Sequence, residues 1–553
     1  MRMQLTQKII IALLLSFVNF GTSQTTTWTG SSWDNGVPTI TVDAIIASGT
    51  CAITVNTEAK SIIVQSGATL SIQSSSTITV ENDIQVLGTG KFIIRNNCSL
   101  VQNNPSAVNI GNIEYRRNAE PMIQYDYTYW SSPVAGQVLN IFSPLTLSDK
   151  FYSFNAATNS WVLESPTNTM QIGKGYAVRA PQGYGAIAQV FNGVFEGVPN
   201  NGDYTQNVVA WDPVLGNYNL LGNPYPSALD TRDLIDNSSI NTLYYWTHNT
   251  AIASNVFTAN DYAVRTRTAG TAASSGGVVP NRYMASGQGF FARSSSTGTV
   301  TFTNAMRQAG NNGRFFRSSS PSDTFDEEDD NLLRLDLSNS GGAFKQQVVQ
   351  YLSSATNGYD VGIDGEQIDG VFVSFYSIIP GHSLAIQARE LPWNIDDQVV
   401  FGFKSTINAV TSFDISISEL GVFFNDKDVF IEDKVTNTFH DLKVSPYTFS
   451  SNMGVFEDRF VLHYKNLLLS NDDFAGIENS VYVFKENNQP KIVSTKSNIA
   501  SVIVYDMLGR VVFSKDKRNT SEIVLSNLIA NNQALIIKTT LENNVIVAKK
   551  FIF

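Results

Sequence analysis

"ASGTCAITVNTEAKSIIVQSGATLSIQSSSTITVENDIQVLGTGKFIIRNNCSLVQ", residues 47–102, is a series of short alternating runs, each broken by Gly, Ser or Asn. Apolar residues recur in it with a period of two, the pattern of half-buried β-strands. The inward positions are Ile62, Val64, Leu70, Ile72, Ile78, Val80, Ile84 and Val86. Such runs stack well as successive coils, because neighbouring coils bury each other's apolar face. The stretch predicts a β-solenoid-like domain over residues 24–115, with a β-sandwich as the alternative.

Two tryptophans precede this stretch in "WTGSSWDNGVP". The opening resembles a motif at the start of secreted bacterial surface proteins, just before such a solenoid, and this resemblance implies that Trp28 and Trp33 cover the open end of the stack. Exposed indole rings also suit stacking on sugars, and the sequence leaves this second role open.

Composition indicates an extracellular all-β protein. Charged residues make up only 15% of the 553 residues, and short β-branched and aromatic runs recur between Gly, Asn and Pro. The net charge of −11 argues against nucleic acid or anionic lipid as the main partner. The two cysteines, Cys51 and Cys98, are too few for a disulfide scaffold and match no zinc pattern. Either they form one bridge or they are two buried small side chains.

The first 23 residues have the organisation of a signal peptide. Arg2 and Lys8 precede an apolar run, Ile9–Phe20, and then small residues. That run of about a dozen residues is shorter than the roughly 20 needed to cross a bilayer. We therefore expect a mature chain that starts at Gln24 and contains no membrane span, with a short membrane anchor as the alternative.

The middle of the chain contains an internal repeat. "YTYWSSPV" from Tyr127 matches "YNLLGNPYPS" from Tyr218, 91 positions later, and "GKGYAV" from Gly173 matches "GQGFFA" from Gly287, 114 positions later. One insertion of about 22 residues around positions 255–280 explains the change in offset. We predict a duplicated β domain over residues 116–317, with copies at 127–193 and 218–304 packed about a pseudo-twofold axis. Such a unit builds either a core or a two-sided binding groove.

Aromatic residues are dense in both copies. Most should fill the core, although rigid amphipathic rings also suit a carbohydrate platform. The rings are Tyr125, Tyr127, Tyr129, Trp130, Phe151, Tyr152, Phe154 and Trp161 in the first copy, and Tyr218, Tyr225, Tyr244, Tyr245, Trp246 and Tyr262 in the second.

After the repeat, residues 318–331, "SSSPSDTFDEEDDN", have the composition of an acidic linker. Residues 332–466 alternate again, for example at Leu333, Leu335 and Leu337, and predict a β-sandwich. Within it, "YDVGIDGEQIDG" is either a set of hairpin turns or a weak calcium site. The candidate ligands are Asp360, Asp364, Glu366 and Asp369. A second linker is predicted at 467–477.

The last segment, residues 478–553, reads as a small β-sandwich of its own. Its "VYDMLGR" turn contains Val504, Tyr505, Asp506, Leu508, Gly509 and Arg510, and "IIKT" and "VAKKFIF" follow. In length and strand order the segment resembles the C-terminal sorting domain of type IX secretion system cargo, in form closest to the type C variety. The apolar "FIF" ending departs from the usual basic or amide-rich end and puts the subtype in doubt. "WTGSSWDNGVP", "LLGNPYPSALD", "SGQGFF" and "DRFVLHY" are similar to modules that accompany such sorting domains.

This resemblance implies where the protein is located and does not imply that it catalyses a reaction. It implies a protein of a gram-negative bacterium that crosses the periplasm and is secreted or displayed on the outer surface, with the type IX machinery as partner of the tail. We expect a non-catalytic, adhesin-like protein that contacts an extracellular polysaccharide or cell-surface glycan. The alternative is a polysaccharide hydrolase with its site in the aromatic-rich repeat. No catalytic motif, catalytic residue or cofactor site beyond the weak calcium set is found, and the four histidines, His248, His382, His440 and His463, are scattered.

Overall fold

A computed structural model describes residues 24–250, 258–313, 330–465, 480–526, 528, 533–543 and 545–553. The protein is almost all β, with 51% strand and 4% helix, which confirms the predicted class: a β-solenoid-like stack, a duplicated β-unit, a β-sandwich and a small C-terminal β-sandwich. The described residues fall into two compact units, which divide between residues 464 and 465. The predicted signal peptide, most of the acidic linker and the 467–477 linker lie outside the described residues.

The N-terminal part is a three-sided solenoid of about 4 turns. Three sheets form its sides, with strand orders β1-β2-β5-β8, β4-β7-β10 and β3-β6-β9-β11, and all pairings within them are parallel. Ser99 pairs with Thr77, so one coil takes roughly 22 residues. The strands are β1 (Gln24–Trp28), β2 (Val42–Ile46), β3 (Thr50–Ile53), β4 (Thr57–Ala59), β5 (Ile62–Val64), β6 (Thr69–Ile72), β7 (Thr77–Val80), β8 (Ile84–Val86), β9 (Lys91–Ile94), β10 (Ser99–Gln102) and β11 (Ile113–Asn118).

The core of the solenoid consists of the residues that the alternation places inward. All eight predicted inward positions are buried. Trp28 pairs with Ile46 of the first coil, and its ring meets Trp33 edge to face at 5.7 Å. Both rings are partly buried against the solenoid core, so they cover the first coil as expected.

The solenoid and the first copy of the repeat share a strand. β11 pairs in parallel with β9 and antiparallel with β17 (Asn192–Pro199). The predicted boundary between residues 115 and 116 therefore falls inside a strand. Apolar residues of both parts, such as Ile94 and Phe195, belong to one continuous core.

The two copies of the repeat form sheets with the same strand order. The first is β12-β16-β14-β15 and the second is β19-β25-β21-β22, extended by β23. Among its described residues, each copy contains one short α-helix, Leu139–Phe142 or Thr231–Asp236. The remaining strands are β12 (Tyr127–Trp130), β13 (Val134–Ala135), β14 (Phe151–Asn155), β15 (Ser160–Leu163), β16 (Tyr176–Arg179), β18 (Tyr204–Val208), β19 (Asn219–Gly222), β20 (Ala228–Asp230), β21 (Ile240–Trp246), β22 (Tyr262–Arg265), β23 (Gly270–Thr271), β24 (Tyr283–Met284), β25 (Gly289–Ser294), β26 (Gly298–Phe302) and β27 (Arg307–Gln308).

Strand register matches residue for residue between the copies. Tyr129 faces Ala177 across β12 and β16, and Leu220 faces Phe291 across β19 and β25. In the same way Phe154 faces Trp161, and Trp246 faces Tyr262. Ala177 is thus equivalent to Phe291, Phe154 to Trp246, and Trp161 to Tyr262.

The contacts between the copies are reciprocal. Ser131 N–H donates to Gly287 O at 2.9 Å, and the equivalent Gly222 N–H donates to Gly173 O at 3.0 Å. These two hydrogen bonds join equivalent residues in opposite directions. This reciprocity is what a pseudo-twofold axis between the copies requires.

Residues 330–465 contain an eleven-stranded sheet of order β36-β35-β38-β33-β31-β32-β29-β28-β34-β37, with β30 paired to β32. One face encloses a core that joins strands distant in this order, for example Leu335, Phe401 and Phe460, so the sheet curls over itself as a sandwich. The strands are β28 (Leu332–Ser338), β29 (Phe344–Leu352), β30 (Gly365–Glu366), β31 (Val373–Ile379), β32 (His382–Glu390), β33 (Gln398–Ser405), β34 (Thr411–Leu420), β35 (Phe430–Asp433), β36 (Thr438–Asp441), β37 (Tyr447–Ser451) and β38 (Gly454–His463).

The other face of this sheet packs on the duplicated unit. Leu332, Val348 and Ile386 share an apolar cluster with Tyr244 and Phe291 of the second copy. The second copy is therefore covered by the sandwich.

The C-terminal unit is a two-sheet sandwich with its own core. Its sheets are β39-β40-β43 and β42-β41-β44-β45. Ile492 and Ile523 of the first sheet pack with Val502, Val504 and Ile537 of the second. The strands are β39 (Val481–Glu486), β40 (Gln489–Ser494), β41 (Ile499–Asp506), β42 (Val511–Thr520), β43 (Glu522–Val524), β44 (Ala534–Leu541) and β45 (Ile546–Ile552).

Candidate functional site

A cavity of about 390 Å³ lies between the two copies of the repeat, within the size range of small-molecule sites. We refer to it as the aromatic pocket, because six of its lining side chains are Tyr or Trp. The lining residues are Tyr127, Tyr129, Tyr152, Trp161 and Ala177 from the first copy, and Trp246, Thr258, Ala259 and Tyr262 from the second. All six rings belong to the set that the sequence singled out.

Aromatic rings from the two copies contact one another in the pocket. The Tyr129 and Tyr262 hydroxyls are hydrogen-bonded at 2.7 Å, and the Tyr129 ring stacks on Trp246 with centroids 6.0 Å apart. Trp161, on the edge strand β15, is 44% exposed. Its ring packs edge to face on Phe154 at 5.1 Å. The result is a rigid aromatic wall with one indole at its mouth.

The described lining of the pocket is uncharged. Burial raises the pKa of the Tyr127, Tyr129 and Tyr262 phenols, so these groups are neutral at physiological pH. They offer apolar ring faces together with hydroxyl donors and acceptors. This chemistry suits a neutral ligand that has both an apolar face and polar substituents.

A buried pair positions Trp246. The Trp246 Nε1–H donates to His248 Nδ1 at 3.2 Å, and His248 Nε2 lies 2.5 Å from Asp126 Oδ1. Asp126 Oδ2 in turn accepts from the Ile123 N–H at 2.9 Å. A neutral imidazole that carries its proton on Nε2 fits both neighbours. No sequence pattern indicates this arrangement, because Asp126 and His248 are far apart in the chain.

The four candidate calcium ligands do not converge. Asp364 is buried, and each of the four carboxylates already has a nearby protein partner. Asp360 accepts a hydrogen bond from the Thr356 N–H at 2.6 Å, and Asp364 accepts from the Asp360 and Ala388 N–H groups at 2.7 Å. Asp369 accepts from Lys404 Nζ at 2.9 Å. Glu366 Oε1 lies 2.6 Å from His382 Nδ1. Over the described ranges, no group of three or more His, Cys, Asp or Glu side chains is placed to hold a metal ion.

Cys51 and Cys98 are both free and buried. Cys51 lies in β3 beside Leu70 of the next coil, whereas Cys98 lies between β9 and β10. Burial raises the pKa of the Cys51 thiol to about 11 and also raises that of Cys98. The bridge that the sequence left open is not formed, and the two residues act as small apolar side chains of the solenoid core.

The residues of the predicted sorting motif lie at the end of β41 and in the turn of the β41–β42 hairpin. Val504 lies in the core of the unit. Asp506 Oδ1 accepts from the Leu508 and Arg510 N–H groups at 2.9 and 3.0 Å, and Gly509 has φ +80°. Tyr505 is half-buried, whereas Leu508 is 78% exposed and its neighbour Met507 60% exposed. The motif thus combines a rigid turn with two apolar side chains displayed at its tip.

None of the four histidines is among the residues that line the aromatic pocket. His382 and His463 each lie beside a glutamate, Glu366 or Glu432, and His440 Nε2 lies 2.8 Å from Ser445 O. Throughout the described part of the chain, no helix is long and apolar enough to cross a bilayer.

Fold and site together define an all-β, multidomain protein with an aromatic pocket between duplicated β-units. Residues 19–464 match the family described as Domain of unknown function (DUF8693), and this match covers most of the sequence. The chain belongs to that family. Residues 469–553 match a second family, Domain of unknown function (DUF8694). The division between the matches agrees with the division between the two compact units, and no curated protein matches the chain.

Proposed function

We propose that this protein is a secreted or surface-displayed binding protein that holds a neutral sugar ring of an extracellular glycan in its aromatic pocket. Its C-terminal unit serves as the sorting signal for type IX export, and the solenoid, repeat and sandwich form the exported body. In this proposal the protein binds the glycan and does not cleave it.

The aromatic pocket is the observation that carries this proposal. Six Tyr or Trp rings line one cavity, and the indole at its mouth, Trp161, is 44% exposed. A sugar ring has an apolar face for such a wall and hydroxyls for the Tyr127 and Tyr152 phenols. Rigid aromatic side chains also lose little conformational entropy when they bind a ligand.

The polysaccharide hydrolase stands second. Hydrolysis requires two carboxyl groups roughly 5–10 Å apart on either side of the scissile bond. The described residues that line the pocket include no Asp or Glu. Binding is therefore the function that this lining supports better.

The test is a glycan array probed with the chain from Gln24 onward, compared with the Trp161→Ala and Trp33→Ala variants. Trp161→Ala should weaken binding about tenfold, which corresponds to about 1.4 kcal/mol, because tryptophan is enriched among the interface residues whose truncation weakens binding most. Trp33→Ala is the matched control, since Trp33 packs on the solenoid core and is not among the pocket residues.

Three results would overturn the proposal. One is an array without any bound glycan, and another is equal binding by Trp161→Ala and the unaltered chain. The third is cleavage of a bound oligosaccharide, detected by mass spectrometry, which would favour the hydrolase.

A further inference from the structure

The two copies differ at one position that bears directly on the aromatic pocket. Ala177 of the first copy faces Tyr129 and Tyr152 across the sheet, and Phe291 of the second copy faces Leu220 and Tyr244. The registers make Ala177 and Phe291 equivalent. The first copy therefore has a methyl group where the second has a phenyl ring.

Phe291 occupies the position that the pseudo-twofold axis relates to the aromatic pocket. Its ring centroid lies 4.9 Å from Phe154, 5.7 Å from Trp161, 5.9 Å from Tyr262 and 6.1 Å from Tyr218. By the internal symmetry, these four rings correspond to Trp246, Tyr262, Trp161 and Tyr127, all of which line the pocket. The protein thus has two symmetry-related aromatic cages that share Trp161 and Tyr262; Phe291 fills one of them, and the other is open.

We infer that Ala177 is the residue that admits the ligand, and that the pocket takes one ring-sized, uncharged unit per chain in the place that Phe291 fills in the other copy. This inference rests on the proposed function only for the identity of the ligand as a sugar. The size and number of the sites follow from the symmetry. A phenyl ring at position 177 would close the pocket in the way that Phe291 closes the equivalent site of the other copy.

Cyclohexanol is a suitable probe, because it is ring-sized, uncharged and transparent where tryptophan absorbs. Its binding is followed by tryptophan fluorescence and located in soaked crystals of the chain from Gln24 onward. The variants are Ala177→Phe, Phe291→Ala and the exchange variant that carries both changes. Far-ultraviolet circular dichroism checks the fold, and Ala177→Leu replaces Ala177→Phe if the larger ring prevents folding.

The unaltered chain should hold one cyclohexanol against Tyr127 and Trp161. Ala177→Phe, or Ala177→Leu in its place, should bind at least tenfold more weakly. Phe291→Ala should gain a second molecule beside Tyr218, and the exchange variant should hold one molecule there only. A pocket still occupied with unchanged affinity in Ala177→Phe, or one without cyclohexanol in the unaltered chain, would overturn the inference.

Failure of the inference is distinguishable from failure of the proposed function. If cyclohexanol follows the expected pattern but no glycan binds, the inference about Ala177 stands and the proposal that the ligand is a sugar is refuted. If a glycan binds the unaltered chain and Ala177→Phe equally well, the sugar-binding function stands and the role of Ala177 is refuted.

Discussion

Gly175 and Gly289 are equivalent residues at which the two copies of the repeat approach each other closely. A Cβ atom at Gly175 would lie 2.5 Å from Leu221 O, and one at Gly289 would lie 2.9 Å from Tyr129 C. Both neighbours are backbone atoms, which move only if a strand moves. The glycines that the repeat preserves are therefore explained by packing across the pseudo-twofold axis.

Alanine at either glycine should destabilise the first unit by about 1–3 kcal/mol, the usual cost of overpacking a core. Urea unfolding of each single variant measures this change in the free energy of unfolding. Gly183→Ala is the control, since a Cβ there meets nothing within 4 Å. Unchanged midpoints for Gly175→Ala and Gly289→Ala would show that the copies are not packed as described.

Asp364 makes stability depend on pH. Burial raises its pKa to about 7, whereas the unfolded carboxyl has a pKa near 3.9. Between about pH 4 and pH 7 the unfolded state has already lost the proton that the folded state retains, so this group lowers stability as pH rises. Asp364→Asn stays neutral and should lose this contribution.

The measurement for Asp364 is urea unfolding at pH 5 and pH 8 in the unaltered chain and in Asp364→Asn. The loss of stability from pH 5 to pH 8 should be smaller in the variant. An identical pH dependence in both proteins would show that the folded carboxyl titrates normally.

Single residues of the site were predictable to different degrees. Ring-rich composition was enough to single out Tyr127, Trp161 and the other rings of the pocket. Alanine carries no chemical signal of its own, so Ala177 was missed, although aligning "GKGYAV" with "GQGFFA" places it against Phe291. Asp126 and His248 meet only through the tertiary fold, so no local sequence pattern predicts their contact.

At the scale of elements, alternation in residues 47–102 predicted the strands and their buried faces. It did not predict the triangular coil, in which strands pair roughly 22 residues apart, as Ser99 does with Thr77. A period of two tells which side chains point inward, but it does not tell which strand lies alongside. The partner is set by the turns at Gly, Ser and Asn.

The β41–β42 hairpin should be sensitive at its turn and tolerant at its tip. Gly509 has φ +80° with open space around it, so Gly509→Ala should cost about 1–2 kcal/mol through backbone strain alone. Met507→Ser and Leu508→Ser replace exposed side chains and should stay within about 0.5 kcal/mol.

Hydrogen exchange of the β41 and β42 amides in the full chain measures this local stability. Faster exchange in Gly509→Ala alone is the expected pattern. Equal protection in all three variants would mean that the turn does not limit the hairpin.

On the scale of the whole molecule, the order of parts along the chain was predictable and their contacts were not. The 115/116 boundary falls inside β11, because solenoid and repeat share a sheet. Asp360, Asp364, Glu366 and Asp369 are close in sequence, yet their carboxylates reach different partners once β30 pairs with β32. Proximity in sequence gives neither a domain boundary nor a metal site without the tertiary fold.

The division at residues 464/465 carries the final prediction, which concerns export. The C-terminal unit has its own core, and a separate family covers residues 469–553. If this unit is the sorting signal, deleting residues 465–553 should leave the protein in the periplasm of a gram-negative host with a type IX system. A fluorescent reporter that carries residues 1–24 in front and 465–553 behind should reach the outside.

Immunoblots of periplasm, cell surface and medium measure this distribution. Met507→Ser combined with Leu508→Ser should reduce export if the hairpin tip is what the machinery binds, and Ile552→Ser is the matched control, because Ile552 is also exposed, at 70%. Export that continues without residues 465–553 would refute the sorting role. The exposed apolar tip at Met507 and Leu508 would then need another partner, and the C-terminal unit would belong to the binding body of the protein.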